Sequence, residues 1–564
     1  MSAWILGLAA SHNGAAALFR DGELVVAVQE ERLTREKRAK LAPAGEFRAL
    51  DYVLGEAGIG VEALELVVVC PLRTREAEDC RVALHPRLGG VPRAFVGHHR
   101  AHALSAVLAS GYDEAAVLVV DGMGSEVSDL DDAERAAIVG PREGRETASV
   151  YAWSGGRLAA VEKQLGQLAP DATPRGRPRP LLAPFASLGT MFQSVARHVF
   201  GGWFDAGKVM GLAPYGTARL PAEAWLGFEG PRLVFGDGAR RAMWLREPWP
   251  AHQEAYADLA ASVQAACTAG MLHLAARARA LTGARRLAIA GGVGLNGIAN
   301  EAIIQSGLFD EVFVIPAAED SGTALGAGVH GALALGVGGA LGPLVGDGLG
   351  RAYGEAEIAA AIAALPAGAG VVARREGDVA HAVAGLLERG LTVGWHQGRS
   401  ELGPRALGQR SILCDPRRAE AKDHLNARVK RREAFRPFAP AVLAEHAAAF
   451  FDFGRGPAES PYMLRVVPVR PEKRALVPAI VHVDGSARPQ TVPADGSPFA
   501  RLLAAFLART GVPMVLNTSF NAAGEPLVET PADALRCLLA TGLDACAIGD
   551  WVVVKAGAEE SPRG

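Results

Sequence analysis

An α/β protein of two large domains is what this sequence predicts. Its 564 residues are too many for one ordinary core, so length points to two large domains or three. Strand-length apolar runs alternate with segments of helical period along most of the chain. One pattern also occurs twice: strand, polar turn, strand, tight turn, strand, first from residue 4 and again from residue 115.

The first copy runs Trp4–Ala9, Ser11-His12-Asn13-Gly14, Ala15–Phe19, the Asp21-Gly22 turn and Leu24–Val28. Asp-Gly between alternating apolar runs is a strong hairpin signal. The second copy runs Ala116–Val120, Asp121-Gly122-Met123-Gly124-Ser125, Ser149–Trp153, Gly155-Gly156 and Leu158–Val161. A polar insertion, Ser125–Thr147, separates its first two strands. Each copy puts a functional-looking polar residue, His12 or Asp121, at the end of its first strand. Two such copies, each followed by helix, match the actin/Hsp70/sugar-kinase architecture, whose first turns face each other across a cleft. Two unrelated hairpins in a mixed sheet are the alternative.

Between the copies, Gly97-His98-His99-Arg100-Ala101-His102 opens a run of small and apolar residues that predicts a buried helix. His98 and His102 lie four apart, so their imidazoles share one face and could reach one metal ion. A hydrogen-bonded pair of core histidines fits the same spacing. His99 stands where a zinc protease would carry its Glu, which argues against that chemistry.

Residues 165–250 are rich in Pro, Gly and aromatics. Within them Gly202-Trp203-Phe204-Asp205-Ala206-Gly207-Lys208-Val209 nearly matches a P-loop, but Val209 replaces the hydroxyl residue and no strand leads in. Leu259, Val263, Cys267, Met271 and Leu274 recur at helical spacing and predict a helix over Gln253–Leu281. A strand at Arg286–Ala290 leads into Gly291-Gly292-Val293-Gly294-Leu295-Asn296-Gly297. That glycine pattern suits a dinucleotide-binding turn or an adenosine pocket, with Gly291, Gly292 and Asn296 as the candidate nucleotide contacts. A second strand, Val312–Pro316, ends in Glu319-Asp320-Ser321-Gly322. The Gly/Ala run over 329–356, with Pro343, predicts the end of the first domain and so domains of 1–350 and 351–564. Beyond it, Val371–Arg374 reads as strand, Asp378–Leu387 as helix and Leu391–Trp395 as strand.

Asp121 and Asp320 each close a predicted strand in a Gly/Ser-rich turn. Joined to His98 and His102 they form a two-imidazole, two-carboxylate set suited to Fe(II), Mn(II) or Zn(II) rather than calcium. Taken singly, each Asp also suits a turn-stabilising role.

Composition excludes several function classes. The net charge of −3 carries no overall basic imprint for a nucleic-acid partner. Apolar runs are strand-length and the start lacks a leader pattern, so a cytoplasmic location without membrane contact is expected. The six cysteines include no CxxC, against a disulfide framework or thiolate metal site.

Many motifs together carry a family resemblance over nearly the whole chain. They are His12-Asn13-Gly14, Glu30-Glu31-Arg32, Gly97 to His102, Val209-Met210-Gly211-Leu212-Ala213-Pro214-Tyr215-Gly216, Gly291 to Asn296 and Glu319 to Gly322. Further on come Gly403-Pro404-Arg405-Ala406-Leu407-Gly408, Phe435-Arg436-Pro437-Phe438-Ala439-Pro440 and Leu516-Asn517-Thr518-Ser519-Phe520-Asn521. The chain resembles the O-carbamoyltransferases of nodulation-factor and antibiotic biosynthesis, which include the tobramycin, cephamycin and geldanamycin enzymes.

The resemblance implies an N-terminal Kae1-like domain of the actin/Hsp70 (ASKHA) superfamily, with a duplicated βββαβα core, and a C-terminal YrdC-like α/β domain. The second would make carbamoyl-adenylate from carbamoyl phosphate and ATP, with magnesium. The first would hold that adenylate on a metal, usually iron, bound by His98, His102, Asp121 and Asp320, and pass the carbamoyl group to a hydroxylated small molecule. His12 would be the general base and Lys37 would stabilise the tetrahedral oxyanion, although Leu33 and Glu36 depart from the family's local pattern. Phosphate-rich substrates suit the basic 399–436 region, with Arg399, Arg405, Arg410, Arg417, Lys430 and Arg436. Arg488 is carried over as a further ligand. Asn517, Thr518 and Ser519 would meet the carbamoyl amide or a phosphate, or cap the turn after their strand. A tRNA threonylcarbamoyladenosine-type enzyme and an Hsp70-like ATP-dependent binding protein are the alternatives. The acceptor and the oligomeric state are not encoded legibly.

Overall fold

In the computed structural model the chain divides into two compact units, Met1–Ala27 with Lys40–Val345, and Val28–Ala39 with Gly346–Gly564. The structure describes residues 2–41, 45–72, 85–167, 185–242, 247–337, 344 and 346–558; Cys80 and Pro343 lie outside them. The other cysteines are buried and form no disulfide among the described residues.

The first unit contains β1 (Trp4–Ala10), β2 (Ala15–Arg20), β3 (Glu23–Gln29), β4 (Leu64–Pro71), β5 (Arg93–Phe95), β6 (Glu114–Val120), β7 (Arg145–Ser154), β8 (Arg157–Gly166), β9 (Leu226–Glu229), β10 (Arg232–Phe235), β11 (Arg286–Ala290) and β12 (Glu311–Val314), with the end of β3 running into the second. Its two larger sheets have orders β3-β2-β1-β4-β5 and β8-β7-β6-β11-β12. In each, the first strand pairs antiparallel with the next and parallel with a strand that returns after a helix. The duplicated pattern predicted from the turns is thus a duplicated topology, and the fold is α/β with mixed sheets. The polar insertion is shorter than the sequence suggested. Residues 127–136 form a 3₁₀ turn and a short helix, and β7 already begins at Arg145.

Two helices pack against one another in this unit, His98–Ser110 lying on β6 and β11, and Thr323–Ala334 on β1, β2 and β4. Small residues permit that contact: a Cβ on Gly326 would stand 1.8 Å from the Ala101 carbonyl oxygen. Gly326→Ala should therefore force the helices apart and destabilise the full-length protein by about 1–3 kcal/mol or more. Urea denaturation checks this, and an unchanged midpoint would contradict the close contact.

The Gln253–Thr282 helix is long and apolar enough by length and composition to cross a membrane, which the sequence reading had not foreseen. It packs instead on the Leu188–Phe200 helix, with Leu259, Val263, Cys267, Met271 and Leu274 buried. The P-loop-like stretch runs into the short helix Ala206–Leu212 and follows a helix rather than a strand. Lys208 pairs with Asp205 at 3.3 Å and lies over Phe200.

The second unit holds β13 (Val371–Arg375), β14 (Val393–His396), β15 (Arg410–Cys414), β16 (Ala439–Leu443), β17 (Val467–Pro468), β18 (Ser486–Ala487), β19 (Gln490–Val492), β20 (Met514–Ser519), β21 (Ala545–Ile548) and β22 (Trp551–Lys555). Eight form one sheet, β13-β22-β21-β14-β15-β20-β16-β19, around a core with Trp395, Phe451, Phe506 and Phe520. The segment Val28–Ala39 belongs here through its arginines. Arg32 donates to the Gly403 carbonyl at 2.6 Å and to Gln29 Oε1 at 2.9 Å. Arg35 donates to the Pro526 carbonyl at 2.9 Å and to that of Leu527.

Candidate functional site

The His98–Ser110 helix is buried along nearly its whole length, as its small and apolar residues dictate. From its first turns His98 and His102 face Asp121, at the end of β6, and Asp320, beyond β12. One ligand atom from each of the four lies within 4.8 Å of the others. His98 Nε2 is 3.4 Å from Asp121 Oδ2 and 3.6 Å from Asp320 Oδ1; His102 Nε2 is 3.8 Å from Asp320 Oδ1. These separations exceed a hydrogen bond. They lie close to the spacing of ligands on one ion, since bonds of about 2.1 Å set ligand atoms about 3–3.4 Å apart at right or tetrahedral angles and about 4.2 Å apart when opposite.

The electrostatics agree with a cation. His98 Nε2, both ring nitrogens of His102 and Asp320 Oδ2 are buried without a hydrogen-bond partner among the described residues. Burial opposes charge on His98, yet Asp320 and Asp121 raise its pKa well above the ordinary value. Burial likewise opposes ionisation of Asp320, but His12 and His98 hold its carboxyl well below the usual range. The donor set thus fits a divalent transition metal held by the four side chains.

Surrounding groups aim these ligands. Cys70 Sγ lies 3.7 Å from His98 Nδ1 and leaves Nε2 for the cluster. The Gly292 N–H donates to Asp121 Oδ1 at 3.1 Å, turning Oδ2 toward His98. Gly291 permits this: its φ is +88°, and a Cβ would meet the Val120 carbonyl oxygen at 2.3 Å. Glu319 accepts from the Ser321 N–H at 2.7 Å and from Asn13 Nδ2, tying the Asp320 turn to the turn that carries His12. His12 Nδ1 stands 3.3 Å from Asp320 Oδ2 while its ring stacks on Phe204, centroids 4.8 Å apart.

Two assignments need correction in this region. Asn296 is a helix cap rather than a free nucleotide contact: its Oδ1 accepts from the Ala299 N–H and from Gln264, and its Nδ2 donates to Gln264 Oε1, each at 3.1 Å. Lys37 belongs to the second unit, where its exposed ammonium is close enough to Lys430 to help lower that residue's pKa.

In the second unit burial, and next the charge of nearby guanidinium groups with Arg436 among them, lowers the pKa values of Arg405, Arg432 and Arg488. Burial, then Arg436, brings Arg405 down to about 10; burial, then the other three arginines, holds Arg488 well below its ordinary value. Arg405 Nε is buried and has no hydrogen-bond partner among the described residues. Such concentrated positive charge fits an anionic ligand. Arg432, not singled out from sequence, donates to Asn426 Oδ1 at 2.7 Å and lies over the Phe438 ring. Arg436 is 3.8 Å from Glu433.

Other members of the basic region serve the fold. Arg410 is wholly buried and donates to the carbonyls of Gln397, Gly398, Gln409 and Glu529. Arg417 pairs with Asp415 at 2.7 Å, and Arg399 donates to the Gly350 and Leu349 carbonyls. The Lys430 ammonium is likewise engaged, at the end of one turn of π-helix, by Ser519 and by Asn521 Oδ1 at 2.6 Å. Asn517 Nδ2 donates to the Ala406 carbonyl at 3.2 Å and to Gln490 at 3.0 Å, yet its Oδ1 is unpartnered. Thr518 and Ser519 are half-buried at the end of β20.

Sequence models of the carbamoyltransferase N-terminus match residues 4–81 and 235–329, and those of the carbamoyltransferase C-terminus match 384–555. The nodulation protein NolNO of Sinorhizobium fredii is 35% identical over 583 residues, spanning 96% of this chain and 79% of that protein. This chain belongs to the carbamoyltransferase family. The 3'-hydroxymethylcephem-O-carbamoyltransferase of Amycolatopsis lactamdurans is 36% identical over 267 residues, 47% of this chain and 48% of that protein. Membership of that family makes the chain a transferase-type enzyme. Among solved structures, full-length HypF in its phosphate- and nucleotide-bound form overlaps with a TM-score of 0.37 and 14% identity, over 59% of this chain and 56% of that one, too loosely to argue from.

In this carbamoyltransferase the structure brings His12, His98, His102, Asp121 and Asp320 together, with Gly291 and Gly292 against Asp121. Sequence reasoning missed Phe204, although its P-loop-like stretch had been singled out. It quoted Glu319 and Ser125 within motifs without giving either a role.

Proposed function

We propose that the chain is an ATP-dependent O-carbamoyltransferase whose second unit is YrdC-like and makes carbamoyl-adenylate. Water would hydrolyse carbamoyl phosphate to carbamate and inorganic phosphate, and a carbamate oxygen would then bond the α-phosphorus of ATP as its bond to pyrophosphate breaks, magnesium accompanying the ATP. Arg405 and Arg488, with Arg432 and Arg436 beside them, would hold the phosphate oxygens. Thr518, Ser519 and the free Asn517 Oδ1 offer groups for the carbamoyl amide. Lys430 would orient Ser519 rather than bind phosphate, and Lys37 would add charge to the same region.

The Kae1-like first unit would then transfer the carbamoyl group to a hydroxyl of a small metabolite. A bound Fe(II), or Mn(II) or Zn(II) in its place, would neutralise the adenylate phosphate and make AMP a better leaving group. His98, His102, Asp121 and Asp320 would hold that ion. His12, steadied by Phe204 and Asp320, would take the acceptor's proton as its oxygen forms the new bond to the carbamoyl carbon. AMP leaves with the electron pair of the broken bond. A general base of this kind is worth about 10²–10⁴ in rate.

The convergence of four buried ligand atoms beside His12 is the observation that carries this reading. The cephem O-carbamoyltransferase of Amycolatopsis lactamdurans, as a relative, supports a hydroxylated small-molecule acceptor. No nucleic acid or membrane enters it, and a cytoplasmic site of action remains part of the proposal. His12→Asn should lower carbamoyl transfer by about 10²-fold or more while leaving pyrophosphate release intact. Mass spectrometry of hydroxylated acceptors for one added carbamoyl group, run beside a pyrophosphate assay, checks both. Equal loss in the two assays, or none in either, would sink the assignment.

A further inference from the structure

The ligand-bearing helix has no side-chain cap of its own, because Gly97 occupies its N-cap. Its first backbone donors are satisfied from the stretch read in the sequence as an insertion. The His98 N–H donates to Ser125 Oγ at 2.8 Å, and the His99 N–H to Glu146 Oε2 at 3.3 Å. The Ser125 N–H donates to the same Glu146 oxygen at 3.0 Å. One carboxylate oxygen thus joins the helix carrying His98 and His102 to the turn carrying Asp121.

The other oxygen of Glu146 accepts from Lys163 Nζ, and both side chains are 0% exposed. Lys163 also donates to Tyr151 Oη at 2.7 Å and to Ser149 Oγ at 3.3 Å, and lies 3.4 Å from Glu134. Ser149 Oγ in turn bonds His99 Nδ1 at 2.8 Å. A buried ion pair is no more stabilising than well-packed apolar residues of similar volume, and often less so. Stability alone therefore gives no reason for this one. What the pair supplies is an anion held between two backbone segments, each bearing metal ligands.

We propose that Ser125, Glu146 and Lys163 are positioning residues of the metal centre, setting the distance between the two histidines and Asp121. This rests on the metal reading above. None of the three touches the proposed ion or a substrate; they act through His98, His99 and the Asp121 turn. Lys163 holds the carboxylate, the carboxylate holds both backbones, and Ser125 adds the second tie to the helix. Groups at this remove typically govern about 10–100-fold of metal affinity.

The test compares Mn(II) and Zn(II) affinity of the full-length protein, by competition with a chelator, against urea midpoints of the metal-free protein. The E146Q/K163M pair removes both charges but keeps an oxygen to accept both N–H groups. Without Lys163 to anchor that oxygen it should bind several-fold more weakly than wild type, yet more tightly than E146L/K163M. E146L/K163M removes that acceptor and should bind about 10–100-fold more weakly, whatever its urea midpoint. Ser125→Ala is milder and secures the test should E146L/K163M not fold; it should lose several-fold in affinity, and Ser125→Thr should recover it. Wild-type affinity in E146L/K163M, or in a folded Ser125→Ala, overturns the positioning role alone. A wild-type protein that binds neither ion overturns the metal reading and this proposal with it.

Discussion

Asp320→Asn should weaken metal binding by about 100-fold or more, beyond the range of outer-shell changes, and abolish carbamoyl transfer. Asp320 is the hub of the site: its oxygens stand 3.3 Å from His12, 3.6 Å from His98 and 3.8 Å from His102. Asn keeps the shape but removes the charge that His12 and His98 hold ionised. The ion would lose an anionic ligand, and His12 the group that faces its Nδ1. Elemental analysis after dialysis against a weak chelator reads the first effect, and the acceptor mass shift reads the second. Pyrophosphate release should persist, because that chemistry is assigned to the other unit. Stoichiometric metal in the Asn variant would remove Asp320 from the ligand set.

Arg405→Met should lower pyrophosphate release by about 10²–10³-fold, the scale of losing a preorganised donor to developing charge. The same change should leave the protein as stable as before or raise its stability by about 1 kcal/mol. The reason is the crowding of charge: Arg405 sits at about 10, lowered by burial and by Arg436. Removing one guanidinium relieves its neighbours while taking away a phosphate contact. The variant should still transfer carbamoyl from synthetic carbamoyl-adenylate. A stability loss of several kcal/mol would mark Arg405 as structural, and failure to use the adenylate would undo the division of labour between units.

Much of the proposed metal centre was legible because its signals are local. Four-residue spacing on a helix puts His98 and His102 on one face whatever surrounds them. A polar residue at the end of an apolar strand, such as Asp121, is exposed to a turn by the strand's own geometry. The repeat of strand and turn patterns likewise foretold two sheets with one topology, since hairpin chemistry is written in a few adjacent residues. Partner choice was not legible. Arg405 and Arg410 look alike in sequence, yet Arg410 bonds four carbonyls while Arg405 Nε has no partner among the described residues. Asn296 and Lys430 look like ligands, but one caps a helix and the other clasps Ser519 and Asn521.

The amino-acid sequence by itself determined the family, the duplicated α/β core and which histidines and aspartates could share an ion, because each follows from short-range geometry or from motifs taken together. Only the tertiary structure decided which charges are spent on the fold and which stay available. Lys163 and Glu146 lie 17 residues apart, on the hairpin strands β8 and β7, and meet where both side chains are wholly buried. There an unpaired polar group is costly, so each donor's partner is chosen by the packing of the whole unit.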